Sequence, residues 1–132
     1  MIALGSNLGD RENFLSFARE AIGTLPDTHV VAATAVEETA PVGPRDQSSY
    51  LNQMLLVETG LEPRPLLDAL LEIEKRAGRV RRQRWGPRTL DCDIVRWGNR
   101  TVNEDGLTIP HPELAHRDFW QRELAELEPD EP

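Results

Sequence analysis

The chain is poor in cysteine and in long apolar runs. Its one cysteine, Cys92, excludes an internal disulfide and offers no spacing for a metal cluster. No apolar stretch approaches the roughly 20 residues that span a bilayer, and no segment resembles a secretory signal. We therefore predict a soluble, cytoplasmic protein with no membrane partner.

Charge is unevenly distributed along the 132 residues. The formal net charge is −8, yet residues 75–88 hold seven of the fifteen basic residues and no acidic one. The acidic remainder is poorly suited to non-specific nucleic-acid binding, while a local basic loop can attract a small polyanion. A chain of this length predicts one domain, over residues 1–132, with room for one core and one site.

Hydrophobic spacing predicts alternating strands and helices. Apolar residues recur at helical spacing in two segments, and β-branched or alternating runs mark the strands. The order β-α-β-β-α-β predicts an α+β fold with an antiparallel sheet and both helices on one face. The predicted elements are a clipped strand at Ile2–Leu4, a helix over about 11–24, strands at 30–36 and 50–59, a helix from Pro65 to Gly78, a strand at 90–95 and a short helix over 122–127.

The most informative motif is an Asp-x-Asp pair directly after the basic loop. On a strand, Asp91 and Asp93 share one face with Cα atoms roughly 6.5 Å apart. Mg²⁺ is usually held by one or two carboxylates together with substrate phosphates, so the pair fits a metal–polyphosphate site. The alternative is that both aspartates are ion-pair partners of Arg84 and Arg88, and that the arginines form a solvated charge run.

Several other residues could belong to the site, and most of them allow a structural and a functional interpretation. Trp85 is either a core anchor or a surface on which a ring stacks. Tyr50 and Asn52 share a strand face, and the Asn52 amide could read a heterocycle's edge or cap a turn. His111, between two prolines, is held in an extended segment and has either a structural role or a phosphate or ribose contact. Cys92 faces away from the carboxylates as a small core residue.

The Asp-x-Asp motif, the residues named above and the sequence segments around them resemble the 6-hydroxymethyl-7,8-dihydropterin pyrophosphokinase family of folate biosynthesis. The resemblance covers nearly the whole chain, although the stretch 119–124 departs from the more apolar, proline-containing pattern that is usual there. The matching segments are 3–10, 39–43 with Gln47, 50–52, 73–74 with 78–81, 84–94, and 107–112 with Arg117 and Phe119.

The resemblance implies a ferredoxin-like fold, ATP as co-substrate, two Mg²⁺ ions and transfer of the β,γ-diphosphoryl unit to the pterin hydroxymethyl oxygen. It implies that Asp91 and Asp93 bind both metal ions and that Arg81 and Arg88 neutralise phosphate charge. The ATP contacts that it implies are Glu74, Arg79, Arg81, Arg88, Ile94, Thr108, His111 and Arg117. The pterin contacts that it implies are Gly5, Thr39, Ala40, Val42, Tyr50, Asn52, Trp85 and Phe119.

Two rival functions follow from the same residues. One is a ferredoxin-like RNA-binding module that uses the basic loop and Trp85; the acidic remainder and the absence of interleaved aromatics on the predicted strands argue against it. The other is a catalytically silent relative that binds pterin or nucleotide only. We expect an active monomeric enzyme with small-molecule substrates and no nucleic-acid partner.

Overall fold

The computed structural model describes residues 1–7, 9–39, 49–78 and 90–128. The elements in chain order are β1 Ile2–Ser6, α1 Arg11–Gly23, β2 Thr28–Ala33, β3 Glu37–Thr39, β4 Tyr50–Thr59, α2 Pro63–Arg76, β5 Asp91–Ile94, β6 Val102–Glu104, β7 Leu107–Ile109, a 3₁₀ helix Pro112–His116 and α3 Asp118–Leu127.

The main sheet is antiparallel, with strand order β2-β4-β1-β5 and with β3 paired to β4 beyond the end of β2. With β3 set aside, the elements β1-α1-β2-β4-α2-β5 follow the predicted β-α-β-β-α-β order. The prediction of a ferredoxin-like α+β fold is confirmed. A separate hairpin joins β6 and β7.

The two faces of the sheet are covered differently. Alternate residues such as Leu4, Leu55 and Cys92 pack with α1 and α2 in the larger core cluster. The opposite face contributes Ala3 and Met54 to a smaller cluster with α3. We call these the helix face and the α3 face. Both long helices thus lie on one side, as predicted, and the short α3 covers part of the other.

Local sequence signals account for the helix ends. The Asp10 side chain accepts a hydrogen bond from the Asn13 backbone N–H at 3.3 Å and caps α1. Proline at the first position of α2 suits its fixed φ, and Gly78 follows this helix with φ +81°. The helix predicted over about 11–24 and the strand predicted at 50–59 are confirmed, since the structure has them at Arg11–Gly23 and Tyr50–Thr59.

Several boundaries and elements differ from the prediction, including the helix predicted from Pro65 to Gly78, which lies at Pro63–Arg76. The strand predicted at 30–36 begins and ends earlier, at Thr28–Ala33, because Thr28 pairs with Thr59 at the far end of β4. The short β3 and the β6–β7 hairpin were not predicted, since three-residue strands give too short a pattern to read. The tail helix starts earlier than 122, at Asp118.

Candidate active site

The predicted site residues on the strands lie along adjacent rows of the α3 face. Gly5 on β1 pairs with Asn52 on β4 and with Asp91 on β5, while Ala3 pairs with Met54 and Asp93. Strand neighbours are about 4.8 Å apart, so Asn52 and Asp91 stand about 10 Å apart across the glycine. The two aspartates are half-buried and Cys92 between them is buried, which confirms the predicted alternation of faces.

The β4 end of this row presents a fixed amide. Asn52 is buried and its Nδ2 donates to Thr39 Oγ1 at 2.6 Å. A Cβ added to Gly5 would lie 3.4 Å from Asn52 Oδ1 and 3.5 Å from Tyr50 Cδ1. Glycine therefore leaves a shallow floor beside the amide, bounded by Thr39 and Tyr50, which pair in register. This floor has the shape and the hydrogen-bonding groups that suit a flat heterocycle.

The β5 end presents carboxylates next to a histidine. His111 Nε2 lies 3.7 Å from Asp93 Oδ1, and the Glu113 backbone N–H donates to His111 Nδ1 at 3.0 Å. The neutral ring therefore has its proton on Nε2, on the side of Asp93. Burial, and next the Arg117 charge, lower the pKa of His111, and Glu113 opposes them. The neutral donor form is favoured at this position.

Glu74 supports the aspartate strand from α2. Its side chain is 5% exposed, and Oε2 accepts the Cys92 backbone N–H at 2.7 Å. A hydrogen bond to a carboxylate is stronger than one between neutral groups, and this one holds the residue that separates Asp91 from Asp93. The structure thus gives Glu74 a contact with β5, and its role toward the nucleotide stays a prediction.

The remaining described residues of the predicted site lie on or near the α3 side. Arg117 places its guanidinium over the Trp120 ring, 4.4 Å from the centroid, and the His111 ring meets the same indole edge-on at 5.0 Å. Phe119 is half-buried against the α3 cluster, and Thr108 is exposed on β7. Ile94 differs from these, because its side chain lies in the core under the helix face.

Several predicted site residues lie outside the described residues. They are Ala40, Val42, Arg79, Arg81, Trp85 and Arg88. Arg84 and Arg88, the ion-pair partners of the aspartates in the alternative interpretation, lie there as well, and the site assignments of the six residues above stay predictions.

Sequence reasoning missed two features of this region. Trp120 is buried and contacts both His111 and Arg117, and its spacing to Leu124 and Leu127 is the helical signal that could have placed it. Glu37 pairs in register with Asn52 beside the site, and Glu123 is buried on α3; nothing in the local sequence marks either residue. Charged side chains that become buried through tertiary packing give no periodic signal.

Comparison with known proteins identifies the family. A sequence model described as 7,8-dihydro-6-hydroxymethylpterin-pyrophosphokinase (HPPK) matches residues 1–129. The chain belongs to this family. It is therefore an enzyme, a transferase with the pyrophosphokinase activity of folate biosynthesis.

Curated relatives agree with the family assignment. Proteins named 2-amino-4-hydroxy-6-hydroxymethyldihydropteridine pyrophosphokinase from Haemophilus influenzae and Pseudomonas aeruginosa are 44% and 42% identical over 129 residues. Each alignment covers 98% of this chain, and 81% and 80% of the respective relative. A Bacillus subtilis protein of the same name is 42% identical over 96% of this chain and 75% of its own length. Among the described residues, no helix has the length and apolar character needed to cross a membrane.

Proposed function

We propose that this HPPK family member transfers the pyrophosphoryl group of ATP to 6-hydroxymethyl-7,8-dihydropterin, with Mg²⁺, and releases AMP. The observation that supports this most is the row formed by Asn52, Gly5 and Asp91. A bicyclic ring with a hydroxymethyl arm can lie across the glycine, with its ring edge at the amide and its arm toward the carboxylates. The same row thus holds an amide that can bind a heterocycle and a carboxylate that can take part in phosphate chemistry.

The pterin half of the site is assigned to the Asn52 end. The amide offers a carbonyl oxygen and an N–H donor set, which complement the alternating donors and acceptors of a pterin edge. Tyr50 and Phe119 supply aromatic surface, because flat rings prefer stacked or edge-on aromatic neighbours. The full set that we assign to the pterin is Gly5, Thr39, Ala40, Val42, Tyr50, Asn52, Trp85 and Phe119.

The metal half is assigned to Asp91 and Asp93. Their donors are carboxylate oxygens, half-exposed on one strand face, and this donor set fits Mg²⁺, which prefers oxygen ligands and retains water. When bound, two such ions would neutralise phosphate charge and polarise the phosphorus under attack. Glu74 holds the strand between the two carboxylates, and the Nε2–H of His111 is on the side of Asp93.

The reaction needs positioning more than acid–base chemistry. The pterin hydroxymethyl oxygen forms a bond to the β-phosphorus of ATP, and the bond from that phosphorus to the α,β-bridging oxygen breaks. AMP leaves with that oxygen, and the hydroxyl proton passes to solvent. Charge neutralisation and alignment supply most of the catalysis in phosphoryl transfer, so we assign no general base.

The nucleotide contacts complete the proposal. Arg81 and Arg88 neutralise the phosphates, and Arg117 is held in place by its stack on Trp120. The full set that we assign to ATP is Glu74, Arg79, Arg81, Arg88, Ile94, Thr108, His111 and Arg117. A monomeric state, a cytoplasmic location and a single domain over residues 1–132 stay predictions.

Replacing one carboxylate tests the metal assignment. Asp93→Asn keeps the side chain's shape but removes the negative charge, so kcat should fall on the order of 10³-fold or more. Asp68→Asn makes the same change at an exposed position on α2 and should leave kcat unaltered. AMP formation with the pterin is the readout. Wild-type turnover in Asp93→Asn would contradict the assignment, and inactivity of the wild type would favour a silent relative.

A further inference from the structure

A buried acid on α3 lies outside the chemistry described so far. Glu123 is 4% exposed, and neither of its carboxylate oxygens accepts a hydrogen bond from an N–H or hydroxyl donor among the described residues. It shares the buried side of the helix with Trp120 and Leu124, which pack against the sheet. An ionised carboxylate in such a place is costly, so the neutral acid is favoured.

The charged group that acts most strongly on Glu123 is Glu37 on β3. Arg122, the residue before it, contacts both carboxylate oxygens of Glu37 on β3 at 3.4 Å. Glu37 pairs in register with Asn52, so its side chain is on the α3 face of the sheet. The row Asn52–Gly5–Asp91 therefore continues by one strand to Glu37, which contacts α3 through Arg122.

The charge of Glu37 acts on Glu123 in the same direction as burial. Burial is the largest cause that raises the pKa of Glu123, to about 8, followed by the charge of Glu37 and a hydrogen bond with that side chain. Arg122 lowers the pKa less, and Glu126 on the same helix raises it slightly. A protonated Glu123 can donate to the Glu37 carboxylate, whereas an ionised one repels it.

We propose that Glu123 is a positioning residue for the pterin half of the site, where its proton, shared with Glu37, holds β3 against α3. The inference rests on the proposed function, because Thr39 and Phe119 are pterin contacts only there. Thr39 lies two residues after Glu37 on the same strand face, and Phe119 lies one helical turn before Glu123. The shared proton thus joins the two elements that contribute these contacts.

Loss of this proton has a selective consequence. Two ionised carboxylates that face each other repel. This repulsion weakens the contact between β3 and α3 and therefore lowers the affinity for the pterin ring. Asp91 and Asp93 lie two strands away from Asn52, across β1, and are not displaced. The KM for the pterin should therefore rise at alkaline pH, while kcat and the KM for ATP stay constant.

The test compares steady-state kinetics of the wild type and three variants, Glu123→Gln, Glu37→Gln and Glu20→Gln, across a pH range that brackets the Glu123 pKa. Glu123→Gln cannot ionise but keeps the shape and an N–H donor for Glu37. Glu20→Gln makes the same charge change at an exposed position on α1 and is the matched control. Titration of ATP and of the pterin itself is common to all four proteins and cancels in the comparison.

In the wild type and in Glu20→Gln, the pterin KM should rise by up to roughly tenfold per pH unit above the pKa. In Glu123→Gln it should stay flat at the low-pH value, with kcat unchanged. Glu37→Gln, which removes the other member of the pair, should flatten the profile in the same way. Matching KM profiles in the wild type and Glu123→Gln, or a change confined to kcat, would overturn the inference.

A separate result would contradict the proposed function. If the wild type forms no AMP with the pterin at any pH, the reaction assignment fails. The positioning role is then judged on equilibrium binding of the pterin, followed by its fluorescence over the same pH range. Pterin affinity that weakens with rising pH in the wild type but not in Glu123→Gln supports the inference, and equal profiles or no binding overturn it.

Discussion

Removing the titratable proton of Glu123 should make the protein's stability less dependent on pH. The ordinary pKa of this carboxyl is 4.5, and the folded protein raises it to about 8. The folded state therefore keeps a proton that the unfolded chain has already released. This contribution to stability is fully present below about pH 4.5, falls as the pH rises through the range between the two pKa values, and levels off above about pH 8.

The magnitude follows from the two pKa values. Their difference corresponds to a loss of up to about 5 kcal/mol in the free energy of unfolding as the pH rises from the lower pKa to the higher one. Glu123→Gln has no proton to lose, so its stability should vary less with pH by about that amount. Glu20→Gln should follow the wild type, because its side chain is exposed.

Urea unfolding followed by circular dichroism at several pH values measures this directly. The difference between wild type and Glu123→Gln should change steadily from about pH 4.5 to about pH 8, in the direction that favours the variant as the pH rises. Parallel curves for the two proteins would show that Glu123 is ionised in the folded state at neutral pH, and would refute the reasoning.

Substitutions at two further positions, Gly5 in the row on the α3 face and Glu74 on α2, probe the site. Gly5→Ala should preserve the fold, since its methyl group would meet Asn52 Oδ1 at 3.4 Å, but should raise the pterin KM roughly 10-fold or more by filling the floor, as steady-state kinetics would show. An unchanged KM would place the ring elsewhere. Glu74→Ala should leave the Cys92 N–H without its present acceptor and lower the free energy of unfolding by about 1–3 kcal/mol. It should also lower kcat, because Asp91 and Asp93 lose the support of this hydrogen bond. Glu74→Gln retains an acceptor oxygen and should recover most of the stability and most of kcat. Equal losses in the two Glu74 variants would contradict a role through this hydrogen bond.

The site rows could be predicted from the sequence only in part. Alternation along β5 placed Asp91 and Asp93 on one face and Cys92 on the other, and the structure confirms it. The pairing of Gly5 with both Asn52 and Asp91 could not be read in this way, because strand order depends on contacts between residues far apart in sequence. The resemblance to the family, and not periodicity, brought Gly5 and Asn52 into the same site.

Glu37 and Glu123 show where local sequence patterns fail to predict the structure. Glu37 lies on a three-residue strand, and Glu123 lies on a short helix whose buried side is otherwise apolar. A charged residue on a helix is normally exposed, so helical periodicity alone does not place Glu123 in the core. Its burial results from α3 packing against β4, which only the assembled fold provides.

Product analysis with and without the pterin tests the central claim most directly. With ATP and Mg²⁺, the account predicts AMP in equal amount to pterin diphosphate when 6-hydroxymethyl-7,8-dihydropterin is present, and no AMP when it is absent. Formation of ADP instead, or AMP that does not depend on the pterin, would contradict pyrophosphoryl transfer at this site.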